Sequence, residues 1–230
     1  MTSLSVSSLT DALSDALRMR IIEGKLGPGE GLAEAGLAKQ YEVARPTAKA
    51  AIERLVSEGL LERAAHKTAR VPVMSLERVQ DMYYARDFLE SQAYRYLAER
   101  KVLPEEAIEA NERLRIASDN HALSEFVDSD IDFHRILIDA LGSARITKIH
   151  RSLINEMRLC LVQVQSHNLL EPTIISTEHG LILEAIRNGD PNLAAQRGRA
   201  HLERARKQLT DHLIAPTHTG MSSTQPMASQ

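Results

Sequence analysis

The sequence predicts a mostly α-helical chain: a small N-terminal module with a short strand pair, followed by an antiparallel six-helix bundle. Three observations carry this reading. Apolar residues recur at three- and four-residue intervals through most of residues 8–213, the period of a helix with one buried face. Glycine and proline stand at the breaks between these stretches. Strand-like alternation is confined to the segment between Leu60 and Val73.

The first helix is expected over about residues 8–23, with Leu9, Leu13, Leu17 and Ile21 on one face and Gly24 as its stop. Lys25-Leu26-Gly27-Pro28-Gly29 reads as a turn-rich connection. A short helix at 32–41 buries Leu32, Leu37 and Ala38, and a longer one at 45–58 buries Ala48, Ala51, Ile52 and Leu55 before Gly59. Two short strands at 60–65 and 69–73 then flank a basic tip, His66-Lys67-Thr68. Two short helices, a longer one and a hairpin make a winged helix-turn-helix at residues 8–74.

From Ser75 onward helices are expected at about 76–101, 104–117, 124–141, 144–166, 172–188 and 191–213. Ser75, Ser124 and Asp190 suit N-caps, Pro104 and Pro191 first helical positions, and Gly142 and Gly189 stops. Residues 76–213 therefore form a helical domain, and 214–230, rich in Ser, Thr and Pro, read as a disordered tail.

Composition narrows the function classes. The chain has 230 residues, 43% hydrophobic and 26% charged, ample for a packed core. No apolar run approaches a membrane span and no signal-peptide pattern opens the chain, so a cytoplasmic protein without a membrane partner is expected. The single cysteine, Cys160, excludes an internal disulfide framework. The net charge of −3 hides a split: residues 39–70 carry seven basic and four acidic side chains.

A recognition helix reads base edges with its N-terminal residues while basic side chains nearby hold phosphates. Arg45 and Lys49 lie one turn apart on the face opposite Ala48, Ala51 and Ile52. Arg45 is suited to guanine, Lys49 to guanine or a phosphate, and Thr47 to a phosphate or a thymine methyl. His66 and Lys67 at the hairpin tip would reach an adjacent groove or backbone. Each of these alone is equally well a solvated surface charge; their arrangement makes double-stranded DNA the expected partner.

The segments Leu17-Arg18, Ile22-Glu23-Gly24, Pro28-Gly29, Leu37-Ala38, Val43-Ala44-Arg45 and Leu55 to Leu60 resemble the N-terminal domain of GntR-family transcriptional regulators. Tyr84-Ala85-Arg86 through Leu89-Glu90 resembles the start of the helical FCD domain of the FadR subgroup. The resemblance covers about residues 8–213 and implies operator contacts from Arg45, Thr47, Lys49 and His66. The departures are Ala44 where Ser or Thr is usual, Pro46-Thr47 for Thr-Pro, Lys49 for Arg, and Lys67-Thr68 where the wing carries a glycine.

In the second domain Asp130 and His134, four residues apart, project from the apolar face of their helix. Two buried polar groups there cost free energy unless something satisfies them. His179 and His201 lie 10 residues before Gly189 and 11 after Asp190, which puts them level on neighbouring antiparallel helices. Three imidazoles and a carboxylate suit a divalent Zn, Ni, Mn or Fe ion. The FCD resemblance implies the same four ligands. An inward histidine on its own is more often a hydrogen-bonded core residue, and His121, His150, His167, His212 and His218 read as surface residues.

An ion in such a site would attract a small carboxylate metabolite, with Arg86 as the first candidate to hold its other end. Arg86 equally suits a structural ion pair with Glu90 one turn on. Asn155 and Arg158 are further candidates for the pocket wall. The expectation is a ligand-responsive regulator, with repression implied by the resemblance, acting as a homodimer on a pseudo-palindromic operator. The alternatives are a metal-dependent helical-bundle hydrolase and a regulator that senses the metal alone; the sequence shows no general base beyond the four ligands.

Overall fold

The computed structural model describes residues 9–65, 67–163 and 171–214. The expected tail, His66 and His167 lie outside them, apart from Ile214, which ends the last helix.

The N-terminal module contains α1 (Leu9–Ile22), α2 (Glu34–Gln40) and α3 (Arg45–Ser57). Leu13, Leu17 and Ile21 of α1 pack with Ala48, Ala51, Ile52 and Leu55 of α3, whereas Leu9 is exposed. Each such leucine contributes about 1.5–3 kcal/mol of transfer free energy. Ala44 enters α3 in extended conformation with no side-chain cap, so the hydroxyl missing there leaves the first amides of α3 without a partner from it.

Two expectations change here. Leu32 belongs to β1 (Gly31–Leu32), which pairs antiparallel with β2 (Ala69–Arg70). Ala33 stays extended, and α2 starts only at Glu34. The strand expected at 60–65 is reduced to one bridge, Glu62 to Arg70, with each amide donating to the other carbonyl at 2.9 Å. The wing is thus a narrow sheet with Ala69–Arg70 in its middle. The alternation near Leu60 could not reveal it, because its third segment comes from the connection before α2.

The second half comprises α4 (Leu76–Arg100), α5 (Glu105–Asp119), α6 (Leu123–Asp139), α7 (Ala144–Gln163), α8 (Pro172–Asn188) and α9 (Pro191–Ile214). Ser75 caps α4 by accepting from the Arg78 amide at 3.2 Å, worth about 1 kcal/mol. Asp190 does the same for Leu193, at 2.9 Å, opening α9. Pro104 and Ser124 sit differently from expectation: Pro104 is the residue before α5, and α6 begins one residue before Ser124. Gly189 closes α8 at φ +71°, where a side chain would strike Lys101.

α4 is the axis of the bundle, packed along α9 and touching α6, α7 and α8. Gly198 on α9 makes this approach possible, because a Cβ there would fall 2.5 Å from the Tyr94 ring. The N-terminal module is seated on α7. Asn155 Nδ2 donates to the Glu58 carbonyl at 2.9 Å, and Gln163 Nε2 donates to the Pro72 carbonyl at 2.7 Å while its Oε1 accepts from the Met74 amide. Arg78 bridges Glu62 and Glu156 at 2.6 and 3.0 Å. One apolar cluster runs through the seam, from Leu17, Leu55 and Leu60 to Val79, Ile154 and Cys160. Among the described residues, no helix is long and apolar enough to cross a membrane.

Candidate metal centre and DNA-facing surface

Asp130 and His134 reach the bundle interior from α6, His179 from α8 and His201 from α9. All four are buried. Ligand atoms of the three histidines lie within 4.8 Å of one another. The Asp130 carboxylate stands 3.6 Å from His179 Nε2 and 3.9 Å from His134 Nε2. The ring centroids of His179 and His201 are 4.8 Å apart, so the two do face each other across the Gly189 turn.

One ring nitrogen each of His134 and His201 is held by a carboxylate, whereas His179 has no such hydrogen-bond partner among the described residues. His134 Nδ1 lies 2.8 Å from Glu90 Oε2, and His201 Nδ1 lies 2.8 Å from Glu178 Oε2. Arg204 steadies Glu178 through two bonds of 2.6 Å. His134 Nε2 and both ring nitrogens of His179 are buried without a hydrogen-bond partner among the described residues. Such orphans cost about 1–3 kcal/mol each. His179 stacks on Phe133 at 3.7 Å, which fixes its ring plane without satisfying its nitrogens.

Burial holds His134 and His179 below the usual imidazole range, well below it for His179, so both are neutral near pH 7 with a lone pair to offer. Burial would raise the Glu90 carboxyl, but Arg86 and His134 beside it hold it well below the usual range. Nitrogen donors, one carboxylate and orphaned inward lone pairs fit a borderline divalent ion. A cavity of about 30 Å³ lies beside the cluster, lined among others by Arg86, Asp130, His134, Met157 and His201.

On the N-terminal module the cations separate into two groups. Arg18 pairs with Asp15 and Glu58, Arg54 with Asp11 and Glu58, and Arg63 with Glu34 and Glu53. Arg45, Lys49 and Lys67 are exposed and have no ion-pair partner among the described residues; Thr47 is half-buried beside them. Arg70 donates to the Gly29 carbonyl at 2.8 Å, bracing the wing.

The bacterial regulatory protein gntR family model matches residues 9–71, and the FCD domain model matches residues 81–204. The chain belongs to the GntR family and carries an FCD domain. It is 29% identical over 224 residues to the HTH-type transcriptional repressor NanR of Citrobacter rodentium, covering 86% of this chain and 84% of that one. NanR of Salmonella newport is 28% identical over the same span. Among solved structures, a GntR transcriptional regulator from Rhodococcus sp. RHA1 superposes with a TM-score of 0.71 at 25% identity, covering 88% of this chain and 97% of that one. E. coli McbR/YncC gives 0.70 at 19% identity, covering 92% and 99%, a likeness of fold. The NanR proteins are transcriptional repressors and the Rhodococcus protein a regulator, and this GntR protein is a transcriptional regulator rather than an enzyme.

Within the FCD domain the structure separates the proposed effector residues. Arg86 lines the cavity beside the cluster, but its guanidinium is fully buried and engaged, with Nε donating to Glu90 Oε1 at 2.7 Å and Nη1 to Met157 Sδ at 2.8 Å. Asn155 is not among the cavity's lining residues; it is spent on the Glu58 carbonyl. Arg158 pairs with Asp128 at 2.5 Å and borders a separate groove between α1 and α7. His150, expected at the surface, is buried, with Nε2 3.0 Å from Glu90 Oε1; His121 and His212 are exposed, as expected. The sequence reading missed Glu90 and Glu178 as partners of the histidines. A signal existed for Glu90: Arg86, Glu90, Ala93, Tyr94 and Leu97 share one helical face, so a carboxylate was pointing inward.

Proposed function

We propose that this chain is a cytoplasmic, homodimeric repressor whose helical domain, residues 76–213, binds a divalent metal and a small carboxylate and thereby controls operator binding by residues 8–74. The observation that carries the metal reading is the set of orphaned imidazole nitrogens converging with Asp130. His134, His179, His201 and Asp130 would hold the ion. When bound, a Zn, Ni, Mn or Fe ion would supply positive charge and open coordination positions for a carboxylate. Glu90 and Glu178 orient the imidazoles, and Arg86 is the cationic side chain that lines that cavity.

Repression is supported by the likeness to NanR, a transcriptional repressor. DNA reading by Arg45, Lys49 and Lys67 is supported by the contrast between paired and unpaired cations among the described residues of the module, and Thr47 and His66 join them by their place in the sequence. Homodimerisation is supported by Tyr84 and Phe88, which leave 72% and 69% of their surface exposed one turn apart on α4. A two-fold protein predicts a pseudo-palindromic operator.

Selection of bound duplexes from a random pool, with chelator-stripped and Zn-loaded full-length protein, tests the reading. The expected result is a symmetric pair of half-sites whose affinity changes with a small carboxylate only in the loaded protein. Equal binding to all sequences would overturn it. One observation favours a second reading, a regulator of the metal alone: the cavity beside the cluster holds about 30 Å³, room for water rather than an organic acid, and Arg86 is already paired. That reading expects DNA affinity to follow the metal and to ignore every acid.

A further inference from the structure

Glu90 is fully buried on α4 and has four polar side chains around its carboxylate. Tyr94 Oη donates to Oε2 at 2.9 Å, and His134 Nδ1 stands 2.8 Å from the same oxygen. Arg86 Nε donates to Oε1 at 2.7 Å, and His150 Nε2 lies 3.0 Å from that oxygen. A buried ion pair needs only Arg86 to neutralise the carboxylate. The two imidazoles are additional, and they lead to different places. His134 continues into the ligand cluster, whereas His150 belongs to α7.

Tyr94 Oη spends its proton on Glu90 and lies 3.0 Å from His134 Nδ1, and an ionised carboxylate only accepts. Nδ1 therefore carries the proton toward this pair, and the Nε2 lone pair faces Asp130 and His179. On the other oxygen, His150 ties Glu90 to α7, and Arg86 adds a second tie through Met157 Sδ. The same helix carries Asn155, Glu156 and Gln163, which hold Glu58, Arg78, Pro72 and Met74 at the seam with the N-terminal module. α7 therefore touches the ligand cluster's support on one face and the DNA-reading module on another.

We propose that Glu90 is a positioning residue for the metal centre, one oxygen locking His134 for coordination and the other joining that lock to α7, so that metal occupancy is transmitted to the seam with the DNA-reading module. The proposal rests on the metal reading above and deepens it. A bound ion would restrain His134 at Nε2, and the Glu90 bridge would pass that restraint to His150 and the middle of α7.

The test uses the full chain, Zn²⁺ as the probe, chelator competition for affinity, and hydrogen exchange of α7 amides. Wild type binds Zn²⁺ and gains protection along α7. Glu90→Gln, which keeps the shape but supplies one acceptor oxygen, binds Zn²⁺ about 10–100-fold more weakly. His150→Asn keeps Zn²⁺ binding and loses the gain in α7 protection. Unchanged affinity in Glu90→Gln, or an undiminished α7 response in His150→Asn, overturns the proposal while leaving the metal site standing. Failure of wild type to bind Zn²⁺ overturns the metal reading itself. Should Glu90→Gln not fold, imidazole nitrogen NMR shifts of the Zn-loaded wild type decide. A His134 ring protonated at Nδ1 and coordinated at Nε2 supports the proposal, and the opposite arrangement refutes it.

Discussion

His179→Leu separates a ligand from a packed core residue, because the two readings predict opposite signs. In the metal-free protein both nitrogens of His179 are buried without partners, and the residue does not line the small cavity where a water would fit. Relieving such groups is worth about 1–3 kcal/mol, against which the lost stacking on Phe133 costs roughly 0.5–1.5 kcal/mol. The balance is a stabilisation of about 1 kcal/mol, or ~2–4 °C for a chain of this size. Wild type at 100 times the dissociation constant of its metal should gain about 2.7 kcal/mol, and hence roughly 5–10 °C. Thermal melts of both proteins in chelator and in excess Zn²⁺ check this. His179→Leu should melt higher than wild type in chelator and show no upward shift with the ion. A variant that melts lower in chelator yet still responds to Zn²⁺ would refute the argument.

Arg45→Ala should cost about 1–3 kcal/mol in operator binding and relax discrimination at one base pair per half-site, as read by competition with single-substitution duplexes. Lys67→Ala should weaken all sequences alike and flatten the dependence of log affinity on log salt by about one. Tyr84→Asp with Phe88→Asp should convert a dimer to a monomer in sedimentation velocity, since two carboxylates would be buried at the proposed contact. Burial pushes the Cys160 thiol up to about 12, so a thiol reagent at pH 8 should leave the native protein unlabelled and modify it fully once unfolded.

Most of the helical frame was legible because each helix carries its own punctuation. Ser75, Asp190, Gly142 and Gly189 act within one turn of the positions they mark, and local signals of this kind do not depend on the rest of the chain. The meeting of His179 and His201 was legible for a related reason: their distances from one tight turn convert directly into height along two antiparallel helices. What escaped is non-local. Gly31–Leu32 becomes a strand only because Ala69–Arg70 arrives beside it, and His150 is buried only because α7 turns that side toward Glu90. Asn155 illustrates the same limit, since its side chain serves the Glu58 carbonyl nearly a hundred positions earlier. Nothing in the local sequence of α7 distinguishes a pocket wall from a seam.

Gly59 has a consequence for engineering. It follows α3 at φ +77°, and a Cβ at that place would meet Ser152 Oγ at 2.7 Å and the Ser152 carbonyl at 3.2 Å. One small residue thus ends a helix and also admits the neighbouring one. A reading head transplanted from a relative onto this helical body, to give it a new operator, would have to bring a glycine at that junction. Any larger residue would push the graft off α7 and disconnect it from the helical domain beneath.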